Sequence, residues 1–408
     1  MNILKSASHL ILTSVGGQAL TLLITPILSR LYTPSDFAIW AIFISISSTI
    51  IVGSAFRYDI SILLPASIRE SIRISILSVK NILFTTFLSF LILVAVAFLK
   101  SNINLSFTLL PLSILIGGVN LVLTANLNYK KEYKKIAISK FMQTFFTVAC
   151  NLLLFFILDF ETDGFELVFS ILAGQLICML IQCNFLNINF NRVINLLYKK
   201  YPIKIAKRYY DFAVFSLPAS YLANIMTWLP VFVLGIFFTN ELVGQYALAN
   251  RILIVPLAII GGSLSQVLLK DFSEKINNKE SLVQSIFFIW GVSFILLAIP
   301  TSIVFIHGEY LISILLGDQW SVSGKLITLL IIPTIFNFCL NLTSVSHAVF
   351  RLQHFSLIIS ILTLLVKIGV TFFFLDSYVF LLLTYVLVDT FFIIALNVLV
   401  IFRMMKIL

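Results

Sequence analysis

The chain has 408 residues, of which 60% are apolar and only 11% charged, with a formal net charge of +10 and a mean hydropathy of +1.09. Soluble domains carry about 25% charged residues, so composition excludes a soluble enzyme and leaves a polytopic membrane protein. The short loops between its apolar runs offer no nucleic-acid-binding surface, and a nucleic-acid role is rejected.

A hydrocarbon core ~30 Å thick takes about 20 apolar residues to cross as a helix. About twelve runs of that length follow one another, near 8–29, 37–57, 75–99, 105–127, 137–158, 164–186, 212–238, 242–269, 281–306, 326–350, 355–375 and 378–402. The first run has Lys5 and His9 ahead of it and no small-residue cleavage pattern, so it is expected to be a retained span rather than a signal peptide.

Alternate loops are basic: Arg69 and Arg73; Lys130, Lys131, Lys134 and Lys135; Arg192, Lys199, Lys200, Lys204, Lys207 and Arg208; Lys270, Lys275 and Lys279; then Arg351, Arg403 and Lys406. The intervening loops hold Asp159, Glu161, Asp163, Glu166, Glu241, Glu309 and Asp318. The positive-inside bias places the basic loops and both termini in the cytoplasm, against anionic membrane lipids. The polar connection 191–211 is expected to link an N-terminal six-helix lobe, 1–190, to a C-terminal one, 212–408. It alternates Val193, Ile194, Leu196, Leu197, Ile203 and Ile205 with lysines, which fits an amphipathic surface segment as well as a solvated loop. The stretch from Leu31 to Ala41 is weakly echoed from Phe237 to Ala247, the pattern left by parallel repeats in transporters.

Several polar residues inside or beside spans need an explanation. Arg251 stands in the run Leu242–Leu269, ahead of Pro256 and Gly261-Gly262. A mid-membrane arginine costs about 2.5–3.5 kcal/mol and normally faces water or an anion, so Arg251 is read as lining a transport path. Asn224 lies in the preceding run, between Pro218 and Pro230. Arg57-Tyr58-Asp59 ends the second span, where cation and carboxylate either anchor the end or are buried as a pair. Lys367 and Asp389 sit in the last two spans, about four residues apart in depth, or ~6 Å in an antiparallel hairpin. That pair either holds the hairpin or titrates to couple transport to an ion gradient. Arg30 flanks a turn whose Asp36 suits a helix cap, and Arg30 itself either snorkels or lines a cavity mouth.

Cys150, Cys178, Cys183 and Cys339 lack metal or redox spacing. His9, His307, His347 and His354 are scattered. No metal-binding, nucleophile-elbow or phosphate-loop motif occurs, so no cofactor is called for.

Pro26-Ile27-Leu28-Ser29-Arg30-Leu31-Tyr32-Thr33-Pro34-Ser35-Asp36-Phe37 and Arg57-Tyr58-Asp59 through Leu64-Pro65 resemble the N-terminal signature of bacterial polysaccharide flippases, the Wzx-type exporters of O-antigen and capsule. Similar patterns follow in order at Asn128-Tyr129-Lys130-Lys131-Glu132-Tyr133, Phe215-Ser216-Leu217-Pro218, Gly244 to Arg251, Ser265-Gln266-Val267 and Leu315 to Trp320. The resemblance implies the multidrug/oligosaccharidyl-lipid/polysaccharide exporter superfamily. Its fold is all-α, with about 12 transmembrane helices in two six-helix lobes around a central cavity. The implied substrate is an undecaprenyl-diphosphate-linked oligosaccharide, moved across the bacterial inner membrane. H+ or Na+ would be the coupling ion, and a polysaccharide polymerase and chain-length regulator would be partners. Arg251, Arg57, Arg30, Tyr58 and Asn224 are then the expected substrate residues. Asp389 and Lys367 match no motif of that family; with Asp59 they are the expected ion-coupling residues, read from their charge and position. The alternatives are a multidrug or small-metabolite antiporter, which would favour acidic cavity residues, and a membrane-embedded polymerase or acyltransferase, which would need a large external loop.

Overall fold

The computed structural model of the chain describes residues 2–99, 104–157, 164–189, 191, 195, 197, 201–277, 282–343 and 353–407. Arg192, Lys199, Lys200, Lys279, Arg351, His347, Asp159, Glu161 and Asp163 lie outside the described residues. So do the side chains of His9, Gln266, Lys270, His354, Arg403 and Lys406.

The described chain is helical throughout: α1 (Asn2–Leu31), α2 (Pro34–Ser54), α3 (Tyr58–Ser61), α4 (Ile68–Leu99), α5 (Leu105–Thr108), α6 (Leu110–Tyr129), α7 (Tyr133–Ile157), α8 (Phe165–Leu186) and α9 (Ile203–Arg208). A π turn at Phe212–Ser216 leads into α10 (Leu217–Phe237), followed by α11 (Asn240–Asn277), α12 (Val283–Leu316), α13 (Ser321–Asn341), α14 (Gln353–Phe373) and α15 (Tyr378–Ile407). Among the described residues ten helices are long and apolar enough to cross a membrane, with Leu357–Phe373 a shorter apolar helix. With α1 these follow the twelve expected runs in order. The chain is therefore an all-α, multi-pass membrane protein.

It divides into two compact units, Met1–Phe232 and Val233–Leu408. In the first, α1 packs on α7, α7 on α8, and α6 on both α4 and α8. In the second, α12 packs on α13, α13 on α11 and α15, and α14 on α15. The described part of the 191–211 connection belongs to the first unit.

Local chemistry accounts for the breaks. Thr33 caps α2: Asp36 N–H donates to Thr33 Oγ1 at 3.3 Å, and Thr33 N–H donates back to Asp36 Oδ2 at 2.8 Å, with Pro34 opening the helix. The two orphan donors are thus satisfied reciprocally, which gives Asp36 the cap role its sequence suggested. Pro218 cannot donate to the carbonyl four residues back, and the π turn lies immediately ahead of it. Farther along, α12 runs to Leu316, ten residues beyond the expected end of that span. The apolar residues Leu311, Ile312, Ile314, Leu315 and Leu316 keep it helical until Gly317, at φ +103°, stops it.

Helices approach closely at Gly324, where an added Cβ would stand 2.8 Å from Glu309 Cα. Only a residue without a side chain lets α13 come this near the backbone of α12. Gly324→Val is expected to lower thermal stability by about 1–3 kcal/mol through overpacking. Gly291→Ala, where nothing lies within 4 Å of the new methyl, should be neutral or slightly stabilising because alanine suits a helix better. Thermal unfolding of the two variants in one detergent checks the contrast.

Candidate functional site

The second unit holds the best-defined polar constellation. Lys367 on α14 and Asp389 on α15 meet, the ammonium lying 2.7 Å from each carboxylate oxygen. The Lys367 side chain is 4% exposed and the Asp389 side chain 34%, so the carboxylate forms the accessible edge of the pair. Lys367 Nζ lies 5.5 Å from the Tyr385 ring centroid, and the Tyr385 hydroxyl is hydrogen-bonded to Thr371. Thr371 in turn donates to the Lys367 carbonyl at 2.9 Å. Buried Tyr246 on α11 is within electrostatic reach of both Asp389 and Tyr385. The two ions meet across the hairpin turn between Phe373 and Tyr378, although the residue count sets them about four residues apart in depth. The sequence held no hint of the aromatic and hydroxyl shell: Thr371 and Tyr385 each stand four residues from the ion on their own helix and read as ordinary core.

Arg251 lies near the middle of the apolar span Asn240–Gly261 and is half-buried. Five residues on, Pro256 lies inside the same helix and cannot donate to the Ile252 carbonyl. Asn224 is half-buried on α10.

In the first unit the chain leaves α2 through Phe56 and Arg57, both left-handed at φ 53° and 60°. Two consecutive side chains there cost about 1–2 kcal/mol each, a strain typical of functional positions. The bend brings Arg57 Nη1 to 4.0 Å from Asp59 Oδ2. Among the described residues Arg57 Nε and Asp59 Oδ1 are buried without a hydrogen-bond partner. Burial pushes the Asp59 carboxyl above the ordinary carboxylate range, with Arg57 and local backbone N–H groups opposing it. Tyr58 is buried, and its hydroxyl donates to the Ala206 carbonyl at 3.2 Å. Arg30 ends α1 in an exposed position.

The structure thus brings together Arg57, Tyr58 and Asp59 in one unit, and Lys367 and Asp389 in the other. One acidic residue changes place: Glu166, read as part of a loop, is the second residue of α8 and is buried. It lies within reach of the Tyr32 hydroxyl, whose proton goes to the Asn151 carbonyl at 3.0 Å. The four cysteines are free, three of them buried, as expected of apolar filling.

This helix order is a known transporter architecture. The fold is similar to that of a lipid II flippase, MurJ, in an inward closed conformation, with TM-score 0.73 and 12% identity over 94% of this chain and 86% of that one. It is also similar to an inward-facing multidrug resistance MATE family transporter of the MOP superfamily, with TM-score 0.59 and 14% identity over 95% of each chain. A MOP superfamily transporter from Pyrococcus furiosus matches with TM-score 0.60 and 14% identity over 98% of this chain and 95% of that one. The molecule is thus a multi-pass membrane protein with the MOP transporter fold. Residues 27–325 match the family described as polysaccharide biosynthesis protein, and the chain belongs to that family. No curated protein matches the sequence.

Proposed function

We propose that the protein is a flippase for polyprenyl-diphosphate-linked oligosaccharide repeat units. It carries them from the cytoplasmic to the outer leaflet of the bacterial inner membrane by alternating access of two six-span lobes. The observation that carries this reading is Arg251: a guanidinium held in the middle of an apolar span, in a chain of the polysaccharide biosynthesis family. A diphosphate crossing the bilayer must be met by cations in a low-dielectric setting, and a guanidinium offers the bidentate geometry phosphate accepts. Arg57, held in a strained turn with a buried unpaired N–H, is the second cation. Tyr58, Asn224 and Arg30 complete the substrate-binding residues. Lys367 and Asp389, with Asp59, couple the cycle to H+ or Na+, and the polymerase and chain-length regulator act on what is delivered. Both termini lie in the cytoplasm.

Deletion of the gene tests this reading. Lipid extracts are expected to accumulate diphosphate-linked oligosaccharide repeat units while surface polysaccharide disappears, with export restored by the intact chain. Unchanged lipid-linked sugars, together with greater sensitivity to cationic drugs, would replace the flippase with a multidrug antiporter.

A further inference from the structure

The ends of α4 and α9 in the first unit make a surface that transport does not explain. α4 has 32 residues, ~48 Å at 1.5 Å per residue, against a hydrocarbon core of ~30 Å, so its first turns extend into the headgroup zone. There Ile68, 53% exposed, and exposed Ile72 are interleaved with exposed Arg69 and Arg73.

α9 is fastened across this end. Arg208 Nη1 donates to Glu70 Oε1 at 2.8 Å, and the Tyr209 hydroxyl donates to the same oxygen at 3.1 Å. Tyr201 donates to Asn81 Oδ1 at 2.8 Å, and Ile205, Ala206 and Tyr209 pack against the buried cluster that includes Tyr58, Ile74 and Leu77. The fastening neutralises Glu70, the acidic residue of α4's first turn. It leaves Lys204 and Lys207 exposed beside Ile203, which is 59% exposed.

Basic and apolar side chains interleaved at headgroup depth suit a lipid surface, where cations meet phosphates and isoleucines enter the acyl boundary. A soluble acidic partner would use the cations but not isoleucines placed at bilayer depth. We propose that this composite face is a binding site for anionic glycerophospholipid, with headgroups on Arg69, Arg73, Lys204 and Lys207 and acyl chains against Ile68, Ile72 and Ile203. The site stands whether or not a lipid-linked sugar is the transported substrate.

Native mass spectrometry of the purified full chain, titrated with phosphatidylglycerol or phosphatidylcholine of identical acyl chains, tests it. The intact protein should retain phosphatidylglycerol preferentially. The Arg69→Gln/Lys204→Gln/Lys207→Gln variant should lose about a hundred-fold of that retention, since each of the three basic groups near an anionic surface contributes about five-fold. Its phosphatidylcholine retention and its melting temperature without phosphatidylglycerol should stay unchanged. Ile68→Ser/Ile203→Ser should weaken both lipids, which free cations in solution would not do. Equal retention of the two lipids by the intact chain, or full phosphatidylglycerol retention by the triple variant, would overturn the proposal. Tighter binding of an acidic peptide than of phosphatidylglycerol would assign the face to a protein partner instead.

Discussion

Arg251→Ala is expected to abolish surface polysaccharide while leaving the protein's level in the membrane unchanged, and Arg251→Lys to restore part of it. A charge-assisted hydrogen bond contributes about 1.5–3 kcal/mol, so losing the contact to a diphosphate should weaken transport roughly ten- to hundred-fold. Lysine returns the charge but not the fork of donors that takes two phosphate oxygens at once. Removing the side chain should not destabilise the fold, because a mid-membrane arginine costs about 2.5–3.5 kcal/mol to place there. Surface polysaccharide by gel, membrane protein by immunoblot and thermal midpoint in detergent separate the two roles. A lowered midpoint with export intact would make Arg251 a fold-holding residue and remove it from the path.

The spans were legible because hydropathy and length decide whether a helix crosses a bilayer, and the order of twelve runs survives intact in the structure. The Lys367–Asp389 contact was legible for a related reason: a tight turn between two antiparallel helices turns residue counting into depth. Three features were not. Phe56 and Arg57 adopt left-handed backbone with no glycine to announce it, since the constraint comes from packing around α3. Glu166 looked like one more acidic loop residue, and only the fold shows that it is buried in reach of the Tyr32 hydroxyl. The fastening of α9 depends on Glu70, a lone acid in a basic stretch. Its significance appears only when Arg208 and Tyr209, more than a hundred residues later, converge on one of its oxygens.

Asp389→Asn is expected to impair gradient-driven transport and to destabilise the protein, because it leaves the deeply buried Lys367 ammonium without its counter-charge. Breaking a buried ion pair by removing one partner costs about 3–5 kcal/mol, whereas replacing both by apolar residues of similar volume is often neutral. Lys367→Met/Asp389→Leu should therefore recover the thermal midpoint lost in the single variant. A pair that merely ties α14 to α15 would regain transport along with stability. A pair whose accessible carboxylate binds and releases the coupling ion would regain stability alone, since neither replacement can carry charge. The 4% and 34% exposures of the two side chains favour the second outcome: the ammonium is sealed, and the carboxylate is placed to exchange a cation with its surroundings. Reconstituted vesicles with an imposed proton or sodium gradient provide the measurement. Full gradient-dependent transport by the double variant would reduce the pair to a structural clasp.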